Sequence, residues 1–482
     1  MSPGRIGGVV LAAMVMAGCV SAPDVEPQET AIPVGELGLD GPVYVAPTEG
    51  WWRELGDPQL DALVEQSLVQ NPGLGAALAR VRGAWEQSLA AAARTRPQLE
   101  LETYLDRQHA SANYIYPPPF AGSSFWAGSF GVNFAWHLDF WGRQAALIDQ
   151  AGESARAAGM DAAAASLALS GSVAQTYVDL QRTAELQRVA DRARAQRARV
   201  LDIAQRRVTA GIDTPVELRS AEAALAQVDL EREQLRLARK LLVHALAELS
   251  GSPANAQAAV VTPTIDLEQA LPLPATLPAD LLAHRPDVAA AQARIAATQA
   301  GWDAARAAFY PNIDLLGFVG VMGISVDKIF QSDSQAWQIG PALHLPIFDA
   351  GRLRANYRQS VAEFDAAVAG YNQVVLRALR ESMDQLTRVL SIGRQLDEQG
   401  RSLAAAEEAY RFAVQRYEAG ISSYLTVLNA ETQLLNAQRQ RTDLLADRMQ
   451  ASISLLVALG GRFDYPATVA PAAMVGTREK IQ

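Results

Sequence analysis

Between Trp126 and Phe140 the large apolar residues fall on even positions: Trp126, Phe130, Val132, Phe134, Trp136, Leu138 and Phe140. The odd positions are small or polar: Ser129, Gly131, Asn133, Ala135, His137 and Asp139. A period of two predicts a strand with unlike faces. After Gly142-Arg143 the alternation stops, and Ala-rich sequence carrying Arg, Glu and Gln runs on for more than sixty residues. That run predicts a helix from Gly142 to about Val208, roughly 100 Å long and far beyond a globular domain. Upstream, Gln98 to Asp106 has apolar odd positions and mostly charged even ones, a second two-faced strand. A loop rich in Pro, Tyr, Gly and Ser, His109 to Ser124, separates the two.

The pattern occurs twice. Asn71-Pro72, Arg80 and Pro97 match Arg285-Pro286, Arg294 and Pro311 at an offset of 214. Gly142-Arg143, Arg207, Gly211-Ile212 and Ala221-Glu222 match Gly351-Arg352, Arg416, Gly420-Ile421 and Ala430-Glu431 at 209. The change of offset places a loop of variable length between Pro97 and Gly142. Each copy reads as helix, strand, loop, strand, long helix, turn, helix. The first helix is expected as one piece from Pro58, capped by Asp57, to Arg96. In copy two, Ile313 to Val321 and the alternation through Trp337, Ile339, Leu343, Leu345 and Ile347 give the strands, with Pro341 and Pro346 interrupting the last. The expected divisions are a signal peptide at 1–18, an N-terminal segment at 19–56, repeats at 57–251 and 278–463 joined by a linker at 252–277, and a tail at 464–482.

The aromatic apolar face of the first hairpin fits a strand that meets lipid, whose length in an outer-membrane barrel is about 9 to 11 residues. Four strands cannot close a barrel, because such barrels begin at about eight. Open edges are not tolerated in hydrocarbon, so several chains must share one barrel, with two, three or four copies left open by the sequence.

Composition narrows the partners. With 42 Lys and Arg against 52 Asp and Glu, the net charge is -10 and no basic footprint for nucleic acid exists. The single cysteine, Cys19, rules out an internal disulfide and a thiolate zinc site. It follows Arg5 and the apolar run Ile6 to Ala17, which is too short for a spanning helix and reads as a secretory signal. Met16-Ala17-Gly18-Cys19 resembles a bacterial lipobox, and the resemblance implies lipid attachment at Cys19 and, with Val20 next, delivery to the outer membrane.

Together these residues resemble the outer membrane factor family, the TolC-like exit channels, in its lipidated multidrug-efflux branch. The carriers are the lipobox, Trp51-Trp52, Asp57-Pro58-Gln59-Leu60, Trp136 to Arg143, Arg285-Pro286-Asp287-Val288, Phe348 to Arg352, and Arg416-Tyr417 with Gly420. The resemblance implies a membrane α/β barrel: a homotrimer whose β-barrel, four strands per chain, continues into a periplasmic helical tunnel. It implies a lipid-anchored outer-membrane protein that works with a periplasmic adaptor protein and an inner-membrane pump of the resistance-nodulation-division class, and needs no cofactor or metal. The far end of the tunnel should lie at the turns Ala210–Pro215 and Ala419–Tyr424, where Gly211, Ile212, Gly420 and Ile421 would meet the adaptor. By resemblance, gating or acidic positions fall on Ser422, Thr426 and Asn429, all uncharged here, with Tyr417 among the closed-state contacts. Their copy-one partners are Asp213, Glu217 and Ser220, so the acidity has moved to the other hairpin. Thr214-Pro215-Val216-Glu217 also has capping-box spacing, an alternative role for Glu217.

Other readings are weaker on the residues. His137 and His344 fall on strands and His109 in a loop, without a carboxylate at metal or triad spacing, and no glycine-rich phosphate loop follows a strand, so an enzyme is not expected. A purely structural tether would have no use for the polar odd positions of the strand. Protein secretion through the same kind of channel is the alternative to drug efflux, while 8 methionines make metal export weaker.

Overall fold

The computed structural model describes residues 22–33, 37, 50–253, 260–269, 271–274, 276–277 and 285–461. A short 3-10 helix, Trp51–Leu55, precedes helices α1 (Pro58–Gln70), α2 (Pro72–Ala93), α3 (Arg143–Thr209), α4 (Pro215–Leu249), α5 (Pro286–Ala307), α6 (Arg352–Glu418) and α7 (Tyr424–Ala458). The strands are β1 (Gln98–His109), β2 (Ser124–Leu138), β3 (Asn312–Ile324) and β4 (Gln335–His344). The two copies match in length: α2 and α5 have 22 residues each, α3 and α6 have 67, and α4 and α7 have 35. The leader with Cys19 and the tail after Gly461 lie outside the described residues.

One expected element divides. The helix anticipated from Pro58 to Arg96 breaks at Asn71, which is extended at φ -65° and ψ 121°. Pro72 explains the break, because its ring disfavours the helical conformation in the residue before it. Asn71 is then put to use: its Oδ1 accepts from Leu74 N and its amide donates to Leu249 O at 3.0 Å. Arg285 occupies the same place in copy two and donates to Ala458 O, the equivalent carbonyl, at 2.8 Å. In both copies, therefore, the residue before a proline ties the end of a 35-residue helix to the start of a 22-residue one.

The four strands form one antiparallel sheet in the order β1-β2-β3-β4. The register sets Leu101, Val132, Val319 and Trp337 side by side, and likewise Leu99, Phe134, Gly317 and Ile339. The residues on that face are apolar because the alternating positions of all four strands coincide across it. Leu99, Leu101, Val319, Trp337 and Ile339 are exposed in the single chain. The opposite face carries Glu100, Glu102 and Asp106 from β1, Ser129, Asn133 and His137 from β2, and Asp314 from β3. Pro341 lies in β4, the edge strand of the protomer, opposite Leu315. The strand-to-helix corners are closed by acids: Asp139 Oδ2 accepts Ala145 N, and Asp349 accepts Gly351 N and Leu353 N.

The chain divides into two compact units, each drawing on both repeats. One, residues 1–31, 81–158 and 291–372, holds the sheet and a small core of Phe309, Leu353, Tyr357 and Val361. Ala22 and Val25 pack on that core. The extended N-terminal segment then follows α6, with Gln28 N and Glu29 N donating to Asp365 Oδ1 and Asn372 Nδ2 donating to Thr30 O. Next to Phe309 in sequence, Tyr310 stacks with Trp141 at 4.9 Å, and Trp141 Nε1 donates to Pro311 O.

The other unit, residues 32–80, 159–290 and 373–482, has the larger core. Trp51, Trp52, Leu55, Leu60, Tyr177, Leu246 and Ile453 meet there with Ile265 and Leu267 of the inter-repeat linker. Asp57 binds these pieces together. Its carboxylate accepts from Gln59 N at the start of α1, from the Tyr177 hydroxyl at 2.8 Å, and from both the amide and the hydroxyl of Thr264. Burial by itself raises the Asp57 carboxyl, but these donors, led by the Thr264 amide, outweigh it and hold the group below the usual carboxylate range. Asp57→Ala removes a helix cap and leaves a buried hydroxyl without its acceptor, so unfolding followed by Trp51 and Trp52 fluorescence is expected to lose about 2 kcal/mol. Because the folded carboxyl is depressed, this contribution is complete above about pH 4 and fades as pH falls below it; a wild-type-to-variant gap unchanged down to about pH 2 would contradict the account.

Candidate functional site

The two interhelical turns are built alike. At each, a glycine with positive φ follows a long helix: Gly211 at 71° and Gly420 at 78°. Ile212 N donates back to Arg207 O and Ile421 N to Arg416 O, the six-to-one bond of a Schellman ending, which needs the left-handed glycine. The chain then enters the next helix with an apolar pair turned outward, Ile212 with Val216 and Ile421 with Leu425, each more than 60% exposed.

Their charged groups differ. Arg207 makes a bidentate pair with Asp213, Nε to Oδ2 at 2.8 Å and Nη2 to Oδ1 at 3.0 Å. Tyr417, from the other long helix, donates its hydroxyl to Asp213 Oδ2 at 2.9 Å, and Arg207 Nη1 reaches Tyr417 O at 3.2 Å. The guanidinium also lies 4.7 Å from the Tyr417 ring centroid. This cluster ties the first turn to the second hairpin within one chain. The Arg207 guanidinium beside Asp213 holds its carboxyl below the ordinary range, with the Tyr417 hydroxyl assisting; burial pushes the Tyr417 hydroxyl up.

Among the described residues, copy two has no such pair. Ser422 stands where Asp213 does, its Oγ buried without a hydrogen bond among the described residues. Arg416, in the position of Arg207, is exposed. Ser423 precedes α7 without capping it, and its hydroxyl meets Thr426 Oγ1 at 3.3 Å. Tyr424 replaces Pro215 at the start of α7 and packs with Tyr417, Val427, Val200 and Ala204. A second clip stands behind: Arg197 of α3 donates to buried Glu431 of α7 at 3.3 Å and to Ala224 O of α4 at 2.6 Å. Burial raises the Glu431 carboxyl.

The residues singled out from sequence therefore fall into different settings. Gly211, Ile212, Gly420 and Ile421 form the two turns. Asp213 and Tyr417 are joined directly. Glu217 completes the capping box, accepting Thr214 N at 3.0 Å and the Thr214 hydroxyl while Val216 N donates to Thr214 Oγ1. Ser220 is half-buried, and Thr426 and Asn429 are exposed on α7. Arg207 was visible in the sequence only as a marker of the repeat; its spacing of six from Asp213 around a glycine turn is the signal that identifies it. On the sheet, His137 does have a carboxylate neighbour, Asp314 at 2.6 Å, supplied by the other repeat. Asn312 Nδ2 holds the second oxygen of Asp314 at 2.9 Å. His109 Nδ1 meets Ser124 Oγ at 3.0 Å. Among the described residues, no group of three His, Cys, Asp or Glu converges as a metal site.

A family model described as "Outer membrane efflux protein" matches residues 63–252 and 277–461. The chain is 32% identical to the "Fusaric acid resistance protein FusA" of Burkholderia cepacia, over 95% of this chain and 89% of that protein. It is 33% identical to the "Pyoverdine export outer membrane protein OpmQ" of Pseudomonas aeruginosa, over 85% and 87%. Among solved structures it resembles the outer membrane protein VceC of Vibrio cholerae, with a TM-score of 0.81, 31% identity, and coverage of 87% of this chain and 100% of that one.

Asp213→Asn removes the charge that the Arg207 pair and the Tyr417 bond depend on. The expected cost is about 2 kcal/mol, read as roughly 30-fold faster amide exchange across residues 207–217 at neutral pH. Because the Asp213 carboxyl is depressed in the folded chain, its contribution is full above about pH 4 and is lost only as pH falls below that. Equal exchange in wild type and variant would remove the cluster's role in holding the turn.

Proposed function

The chain belongs to the outer membrane efflux protein family, and from that premise we propose that its paired helical turns form a gated adaptor-docking end and that it is anchored by lipid at Cys19. It is an efflux channel of the outer membrane with a periplasmic helical tunnel, a transport protein and not an enzyme. Channels of this family form trimers and work with an adaptor and an inner-membrane pump. Trimerisation explains the sheet, since three sets of four strands make a twelve-stranded barrel with lipid outside and the polar face inside.

The observation that carries the docking reading is the doubled apolar pair. Ile212 with Val216 and Ile421 with Leu425 leave comparable greasy surface exposed at equivalent places, which singly would be unremarkable but together offer a repeated binding edge. The partner that fits is a periplasmic adaptor, in a system powered by a resistance-nodulation-division pump. The Arg207–Asp213–Tyr417 cluster then acts as a latch, because it joins the two hairpins of one chain and must break or move with them when the end widens. Relatives named for fusaric acid resistance and pyoverdine export favour small-molecule cargo over secreted proteins.

Lipid anchoring is supported by the path of residues 22–33. Ala22 packs on the Phe309 and Tyr357 core, next in sequence to Tyr310, whose ring stacks with Trp141. Tryptophan and tyrosine gather at membrane interfaces, and Ala22, three residues after Cys19 in sequence, packs on the core that adjoins such a pair.

In planar bilayers, Asp213→Asn combined with Tyr417→Phe is expected to raise single-channel conductance several-fold over wild type. Ile212→Asp with Ile421→Asp should abolish adaptor crosslinking and restore drug sensitivity while trimer insertion is unchanged. Radiolabelled palmitate should enter the wild-type chain and not Cys19→Ala. Unaltered conductance would defeat the latch, retained crosslinking the docking edge, and label in Cys19→Ala the anchor.

A further inference from the structure

The polar face of the sheet is not uniform. On β1 it presents Glu100, Glu102 and Asp106, with Tyr104 between them. On β3, two strands away and thus roughly 10 Å across, the same face presents Leu316, Phe318, Met322 and Ile324. The strand between has mainly small residues there: Ala127, Ser129, Gly131 and Ala135. The result is a trough with an acidic wall, an apolar wall and a low floor. A Cβ at Gly131 would lie 2.4 Å from the Phe318 ring and one at Gly320 2.9 Å from it, so these two glycines let the ring lie flat across the floor. Toward the β1–β2 and β3–β4 loops the trough opens into a cavity of about 660 Å³ whose lining includes Tyr104, Phe125, Met322 and Ile324, together with Lys328 and Ser334 of the β3–β4 loop.

The walls remain available. Glu102, Tyr104 and Asp106 are exposed, as are Leu316, Met322 and Ile324. The strand residues of this face include four carboxylates, with Asp314, and no Lys or Arg, since Arg107 belongs to the opposite face. Asn133 Nδ2 donates to one oxygen of Glu102 at 2.6 Å and orients that carboxylate without neutralising it. A wall of carboxylates facing an aromatic and thioether wall matches one kind of small molecule, a flat apolar body bearing a positive charge. Its charge meets Glu102 and Asp106, and its rings meet Phe318, Met322 and Tyr104. The cavity volume falls in the range of small-molecule sites.

We infer that the inner wall of the barrel is a binding track for amphiphilic organic cations, one trough per protomer, so that the exit segment itself favours this class of cargo. The inference rests on the channel reading, which places this face in the lumen. A neutral inner wall would pass cargo without preference; the striped one holds amphiphilic cations weakly and repels anions.

The test uses the full-length trimer in lipid nanodiscs, with empty nanodiscs as the blank, and rhodamine 6G as probe in fluorescence anisotropy. Fluorescein and tetramethylammonium serve as an anionic aromatic and a cation without an apolar body. Rhodamine 6G should bind saturably, and Glu102→Gln with Asp106→Asn, or Met322→Gln alone, should each weaken it by about fivefold or more. These side chains are exposed, and gel filtration with bilayer conductance serves as the control that each variant remains a trimeric channel. Fluorescein binding as tightly as rhodamine 6G, tetramethylammonium competing equally with it, or undiminished affinity in both variants overturns the inference. Loss of trimer or conductance in the wild-type preparation would instead overturn the channel reading beneath it.

Discussion

The outer edges of β1 and β4 govern what this chain can be. Among the described residues of one protomer, β1 pairs only with β2 and β4 only with β3, leaving edges of 12 and 10 residues. Water can serve the backbone groups of such edges, but hydrocarbon cannot, and each unsatisfied group there costs several kcal/mol. A protomer is therefore unable to enter the membrane as a finished sheet, and assembly and insertion become one process. The apolar face adds to this, since Leu99, Leu101, Trp337 and Ile339 are covered only when lipid covers them. Edge pairing supplies the geometry, and burial of that face supplies the drive.

The duplicated halves preserve backbone and diverge in chemistry. Both turns end in the same glycine geometry and carry the same outward apolar pair, which suits an edge contacted repeatedly by one kind of partner. The cohesive groups have separated: copy one holds a charged pair, Arg207 with Asp213, while copy two contributes aromatic packing through Tyr417 and Tyr424. Tyr417 belongs to both, lying in the apolar cluster while its hydroxyl reaches the charge. This chain has one composite cluster that draws on both halves.

Local signals in the sequence carried most of the architecture. Alternation located β1 and β2, the Ala-rich runs located α3 and α6, and glycine with Thr214-Pro215 located the turns. What escaped was set by distance. The break at Asn71 was readable from Pro72, yet continuous helical composition on both sides concealed it. The segment 252–277 reads in the sequence only as a linker between repeats, but Ile265 and Leu267 are buried in the main core, because Thr264 is drawn onto Asp57, more than two hundred residues earlier. His137 seemed without an acid until β2 and β3 brought Asp314 beside it, a contact across repeats that no spacing rule encodes. The Arg207–Asp213 pair was within reach of a local reading, whereas its third member required the fold.

The equal helices carry a consequence for how such a molecule can change size. Adding one residue to α3 would rotate everything beyond it by about 100° and turn buried positions outward. Lengthening is therefore feasible only in heptad steps, inserted together in α3, α4, α6 and α7, each step adding about 10 Å. The loops at 110–123 and 325–334 already differ in length and escape this rule. Reach between the two membranes is thus quantised, while the face shown to the outside world can drift one residue at a time.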